Sequence, residues 1–207
     1  MIFALPGMGA DRRVFPGAWQ ELADVRFVEW TPYVSARTIP DLAGAIADCE
    51  GIKDGDSIIG TSLGGMVACE IAKLRRIERL VLVASAVSPD EISGLLSILR
   101  PLAPYAPVKL VKAISANVPG DLARMIGDAD EGFVCAMCGA ILDWGGLESV
   151  RSGLIRIHGE RDLVILPPRK ADLLLAGGHL IAMTHADECV AFLKRTAPGE
   201  FQSSRRS

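Results

Sequence analysis

The sequence predicts an α/β protein: a mostly parallel sheet of roughly six strands, helices on both faces, and a small helical cap. Three observations carry that expectation. Short β-branched apolar runs recur along the chain, each bounded by glycine, proline or acidic turns. Helical patterns fall between them, and alternation of strand and helix favours parallel pairing. The 207 residues, half of them hydrophobic with a mean hydropathy of +0.31, suffice for one domain with a large interior.

Met1-Ile2-Phe3-Ala4-Leu5 is an apolar run stopped by Pro6-Gly7, the expected first strand. Val25-Arg26-Phe27-Val28-Glu29-Trp30 alternates as a second strand ahead of a loop at Thr31-Pro32. Thr38 is placed to cap a helix, with Pro40 in its first turn and Asp41 three residues past the cap. Leu42, Ala45, Ile46 and Cys49 form its expected apolar stripe, and Gly51 ends it. Asp54-Gly55-Asp56 turns into a third strand ending near Gly60. Beyond Ser62, Met66, Val67, Ala68, Ile71 and Ala72 share a helical face, and Lys73, Arg75 and Arg76 suit a helix C-terminus. Arg79 to Ala84 reads as the fourth strand.

From Ser88 to Gly146 the strand rhythm stops for roughly 60 residues, too long for a structureless loop in a compact domain. Leu95 to Leu102, Leu110 to Ile114 and Asp130 to Trp144 read as helices punctuated by Pro101, Pro104, Pro107 and Pro119. Strands resume at Gly153 to Gly159 and at Asp172 to Ala176. Glu160-Arg161-Asp162 follows the first and Gly177-Gly178-His179 the second. Thr184 is expected to cap a last helix, with Asp187 in its first turn and Cys189, Val190, Phe192 and Leu193 on its buried face. The expected division is therefore residues 1–87 and 147–197 as two parts of one core, 88–146 as an inserted helical cap, and 198–207 as a polar tail.

The bulk properties exclude several classes. A net charge of −3 offers no basic face for nucleic acid. No apolar run reaches the length of a bilayer span, and the N-terminus lacks the charged start of a signal peptide. Five cysteines, an odd number within mostly apolar patterns, suit a reducing compartment, so a cytoplasmic protein is expected. Cys135-Ala136-Met137-Cys138 has metal-ligand spacing but neither a second pair nor a nearby histidine, and it reads as core packing. No metal or organic cofactor is expected, and the oligomeric state stays open.

The chemistry concentrates where strands end. Gly60-Thr61-Ser62-Leu63-Gly64 is G-x-S-x-G between a strand and a helix, a spacing that lifts a serine hydroxyl out of a sharp turn at a helix N-terminus. His179 is a candidate base near neutral pH, with His158 and His185 as the only other histidines. His158 stands only four residues before Asp162, too near in sequence to meet its carboxylate easily across a site, and His185 suits a solvated helix start. Asp162 is the preferred acid, to orient the imidazole, and Asp90 is the alternative. The backbone N–H groups of Met8 and Leu63 are the candidate oxyanion donors. Gly7-Met8-Gly9 is also G-x-G, but the third glycine of a dinucleotide fingerprint is missing. Leu95 to Val111 reads as cap packing ahead of acyl-pocket lining, and Arg100, Lys109 and Lys112 as a solvated face ahead of a contact for a carrier phosphate.

Leu5-Pro6-Gly7-Met8-Gly9, Gly60-Thr61-Ser62-Leu63-Gly64-Gly65, His158-Gly159-Glu160-Arg161-Asp162 and Gly177-Gly178-His179, in that order, resemble the α/β-hydrolase superfamily over nearly the whole chain. The resemblance implies an oxyanion loop, a nucleophile elbow, an acid loop and a histidine loop. Pro6-Gly7 stands where the family usually has His-Gly. The chain also starts at what would be the family's third strand, which implies a trimmed sheet of about six strands whose new edge needs covering or pairing. The expected activity is a serine hydrolase of a small apolar ester or thioester acting through an acyl-enzyme on Ser62. The alternatives are a slow-turnover or non-catalytic ligand-binding protein and a lyase on the same scaffold.

Overall fold

The computed structural model describes residues 1–93, 120–148, 153–197 and 201. Its six strands are β1 (Ile2–Leu5), β2 (Val25–Phe27), β3 (Ser57–Thr61), β4 (Leu80–Val83), β5 (Leu154–Gly159) and β6 (Leu173–Leu175). They form one sheet in the order β2-β1-β3-β4-β5-β6, every neighbouring pair parallel. The described helices are α1 (Ile39–Cys49), α2 (Leu63–Leu74), α3 (Gly120–Asp128), α4 (Glu131–Leu142), α5 (Ile181–Thr184) and α6 (Ala186–Thr196). No helix among the described residues is long and apolar enough to cross a membrane.

Alternation along the strands divides the core into two layers. Phe3, Leu5, Ile58, Leu80 and Leu82 face α1, α2 and α4, while Ile2, Ala4, Ile59, Val81, Val83 and Ile157 face Trp19 and α6. Each fully buried leucine, isoleucine or phenylalanine contributes about 1.5–3 kcal/mol from burial. The order reverses at β1: the chain proceeds to β2 on one side and then to β3 on the other. In open α/β sheets ligands bind outside the carboxyl ends of the strands at such a reversal.

Some elements differ from the sequence expectation. The second strand stops at Phe27 instead of Trp30, because Trp30 turns inward and packs on Phe133. This edge strand is short and carries outward Arg26, paired to Glu50 at 2.7 Å, which blunts it against further pairing. Thr38 caps α1 by accepting from the Asp41 N–H at 3.1 Å. The buried stripe of α1 is Ile39, Leu42, Ala43, Ile46 and Ala47. Cys49 is exposed, because the face packed on α2 is set by Ile39 a turn earlier than the expected stripe begins. A separate turn, α5, precedes the last helix, so Thr184 ends that turn and His185 is the first residue's cap position on α6. Phe192 is only half-buried there. Asp130 caps α4 through the Phe133 N–H at 2.7 Å. The expected helices at 95–102 and 110–114, their prolines, and the tail from 198 apart from Phe201 lie outside the described residues. Phe201 itself is buried.

The tightest packing is where β3 turns into α2. A Cβ on Gly64 would overlap the carbonyl oxygens of Leu5 and Pro6, and one on Gly60 would overlap the Gly64 carbonyl. Gly64→Ala is therefore expected to cost about 2–3 kcal/mol or more, a fall in Tm of roughly 5–10 °C by circular dichroism. Gly44→Ala on α1, where nothing lies within 4 Å of the added carbon, should instead hold or raise Tm.

Candidate active site

Ser62 is the one residue between β3 and α2, and its backbone sits at φ 52°, ψ −121°, a region that side-chain-bearing residues rarely adopt. The surroundings hold it there. Its N–H donates to the Val83 carbonyl at 3.2 Å, and its carbonyl accepts from the Ser85 hydroxyl at 2.7 Å and the Gly65 N–H at 3.0 Å. The hydroxyl is left half-exposed at the N-terminus of α2.

The loops after β5 and β6 run side by side, joined by Glu160 N–H to the Leu175 carbonyl and Arg161 N–H to the Gly177 carbonyl, both at 2.9 Å. That pairing brings Asp162 and His179 together. Nδ1 of His179 lies 2.8 Å from Oδ2 of Asp162, and Nε2 lies 2.9 Å from Oγ of Ser62. An ionised carboxylate can only accept, so Nδ1 carries the proton and Nε2 presents its lone pair to the serine hydroxyl.

Asp162 has no exposed side-chain surface. Its Oδ1 accepts from the N–H groups of Val164 at 2.9 Å and Ile165 at 3.0 Å. Burial pushes this carboxyl up, but hydrogen bonds from His158, His179 and Val164 outweigh it and hold the group well below the usual carboxylate range.

His158 does meet Asp162, contrary to the expectation from sequence distance: its Nε2 lies 3.2 Å from Oδ2. The turn closed by Asp162 N–H to the Gly159 carbonyl at 3.2 Å folds the chain back and brings these two residues together. The same Nε2 lies 2.9 Å from the Ile165 carbonyl, which only accepts, so this nitrogen is protonated and its N–H is shared between two oxygens. His158 thus shares Oδ2 of Asp162 with His179, a role that four-residue spacing alone does not suggest.

The remaining candidates fall elsewhere. Asp90 is exposed in the 3-10 turn Pro89–Glu91. His185 is half-buried at the start of α6, with Nδ1 2.8 Å from the Thr184 hydroxyl. The chain after Gly7-Met8-Gly9 enters short 3-10 turns, not the helix N-terminus on which a dinucleotide's pyrophosphate would rest. Cys135 and Cys138 are half-buried on α4, and Cys138 Sγ lies 3.8 Å from Met8 Sδ. Burial pushes the Cys138 thiol up to about 11, which keeps it protonated. No cluster able to hold a metal occurs among the described residues. The lining candidates from Leu95 to Val111 and the cations Arg100, Lys109 and Lys112 lie outside them. Neither the Met8 nor the Leu63 N–H donates to an acceptor among the described residues.

No protein-family model matches the chain, and no curated protein sequence matches it. Solved structures do. An enol-lactonase from Burkholderia xenovorans is 20% identical, with a TM-score of 0.71 over 93% of this chain and 91% of that one. A lipase-esterase related protein from Clostridium acetobutylicum is 12% identical, with a TM-score of 0.72 over 94% and 93%. A thermophilic esterase from Thermogutta terrifontis is 15% identical, with a TM-score of 0.68 over 97% and 90%. The chain has the α/β-hydrolase fold, with a trimmed, six-stranded, all-parallel sheet.

The depressed carboxyl of Asp162 has a consequence for acid stability. In the unfolded chain it titrates near about 3.9. Below that pH the unfolded state takes up a proton that the folded state does not, so stability falls as pH falls. The contribution is fully present above about pH 5 and is lost progressively toward the lower folded value. Tm of the wild type should therefore decline more steeply from about pH 5 to pH 3 than Tm of Asp162→Asn. Equal slopes would mean that Asp162 is not held ionised.

Proposed function

We propose that the chain is a serine hydrolase that cleaves a small apolar ester or thioester through an acyl-enzyme on Ser62. The observation that supports it most is the continuous chain of hydrogen bonds from Ser62 Oγ through the His179 ring to buried Asp162, at the strand ends where α/β folds bind ligands. The solved structures of similar fold include esterases and an enol-lactonase, which agrees with ester chemistry.

In this reading Nε2 of His179 takes the Ser62 proton as Oγ attacks the acyl carbon. Asp162 keeps the ring in the required tautomer and stabilises its cation. The oxyanion is received by the N–H groups of Met8 and Leu63, and losing one such donor typically costs about 10²–10³ in rate. The imidazolium then returns its proton to the departing alcohol or thiol as the carbon–oxygen or carbon–sulfur bond breaks. A water molecule, deprotonated by the same ring, attacks the acyl-enzyme, and the acid leaves as Ser62 regains its proton.

Residues 88–146 are the segment proposed to shape the acyl site as a cap. Contacts of α3 and α4 with the loop after β1 support this: Asp11 N–H lies 3.5 Å from Met125 Sδ, Arg13 pairs with Asp128 at 3.0 Å, and Cys138 Sγ lies 3.8 Å from Met8 Sδ. None of the five cysteines is in a disulfide, which fits the proposed cytoplasmic setting.

Turnover of p-nitrophenyl esters of two to eight carbons, acyl-thioesters followed by thiol release, and covalent labelling by a fluorophosphonate test the proposal. Ser62→Ala should abolish labelling and lower kcat/KM by about 10⁴-fold or more. A wild-type protein that neither labels nor turns over any of these substrates sinks the reading. Tight retention without turnover would favour a binding protein, and turnover without a serine adduct would favour a lyase.

A further inference from the structure

The peptide unit between Gly7 and Met8 is anchored from one side. The indole Nε1–H of Trp30 donates to the Gly7 carbonyl at 2.9 Å, and the Ala10 N–H donates to the same oxygen at 3.1 Å. Trp30 is buried, and its ring packs on Phe133 of α4 with centroids 5.7 Å apart. The bond is trans, and in a planar trans peptide the C=O and N–H vectors point in opposite directions. Holding the Gly7 oxygen toward Trp30 therefore directs the Met8 N–H away from Trp30. Gly7 in turn abuts the serine, since a Cβ added there would lie 3.4 Å from Ser62 Cβ and 3.9 Å from its Oγ.

This anchor has a physical purpose. Gly7 stands on one side of the peptide, so on that side its rotation is opposed by little local steric cost. A donor that must be aimed before charge develops needs an external constraint, because a preorganised dipole contributes most when it does not have to reorient during the reaction. Trp30 can supply that constraint because β1 and β2 are parallel neighbours: both loops emerge at the same end of the sheet. Its brace, Phe133, comes from the segment between β4 and β5, so that segment bears on the same peptide.

We infer that Trp30 is a positioning residue of the hydrolytic site: its indole holds the Gly7 carbonyl so that the Met8 N–H points at the oxygen of the reacting acyl group. The inference rests on the hydrolase reading above. Trp30 acts through the peptide and contacts no reacting atom in this scheme.

Trp30→Phe deletes the donor and retains a ring against Phe133. It should lower kcat for ester hydrolysis roughly ten- to a hundredfold with KM changed less than about threefold. Inhibition by an alkyl trifluoromethyl ketone, whose adduct with Ser62 carries an oxyanion, should weaken by the same factor as kcat/KM. The chain has six methionines, so ¹⁵N-methionine labelling, with Met8→Leu for assignment, reads the Met8 amide directly. Its proton should shift downfield on adduct formation in the wild type and shift much less in Trp30→Phe. This signal reports the aim of one N–H, which a general loss of stability in the variant would not selectively remove. Unchanged kcat, inhibitor affinity and amide shift in Trp30→Phe would overturn the inference while leaving the hydrolase reading intact. A lowered kcat with an undiminished Met8 shift would also overturn it, because the loss would then arise elsewhere. A wild type that forms no adduct and turns over no ester fails earlier, at the hydrolase reading, and takes this inference with it.

Discussion

The close approach of the β3–α2 turn to β1 is the constraint on which the rest of the molecule depends. There is no space for a side chain at Gly64, because the carbonyls of Leu5 and Pro6 occupy it, and none at Gly60, because Gly64 does. A helix can leave the strand at so sharp an angle only if both positions are bare. The residue between them must then take a left-handed conformation, and Ser62 does so with its hydroxyl against His179. The cost of that conformation is offset by hydrogen bonds to the serine's own backbone, one of them from the Ser85 side chain on the loop after β4. The same contact that forces the strain also sets the loop after β1 beside the serine, so the elbow and its neighbouring loop form a single packed unit.

A second constraint is electrostatic. A carboxylate with no exposed side-chain surface is costly unless its lone pairs are taken up. Asp162 meets that condition with two backbone N–H groups on one oxygen and two imidazole N–H groups on the other. His158 and His179 differ in what they do with the bond. His158 shares its proton with the Ile165 carbonyl and is enclosed, whereas His179 offers its second nitrogen to Ser62. The carboxylate is thus tied firmly to the acid loop and leaves one histidine to face Ser62.

Between these constraints lies the division of the core. Because each strand of the parallel sheet is buried on both faces, alternate residues feed two separate apolar layers. Helix α4 contributes Phe133, Met137 and Ile141 to the layer beneath α1 and α2, and α3 contributes Leu122 and Met125 to the other. The segment between β4 and β5 therefore bears on both layers and reaches the loop after β1 through Asp11, Arg13 and Met8. Its packing links the site's loops to the body of the sheet.

By itself the amino-acid sequence determined the strand and helix alternation, the parallel sheet and the bare positions of the elbow, since these follow from hydrophobic period and from the steric freedom of glycine, both local properties. It also singled out Ser62, Asp162 and His179 as residues that follow strand ends. Their assembly required the fold, because the serine and histidine are 117 positions apart and meet only when β3 and β6 share one sheet. Sequence distance misjudged His158, since a tight turn after β5 brings it to a carboxylate four residues away. The alternating pattern through Trp30 likewise hid its departure from the strand, where the ring packs on Phe133 and the indole bonds to Gly7 across 23 positions. Only tertiary structure decides such contacts: the sequence states which groups can donate and accept, and the packed backbone determines which of them meet.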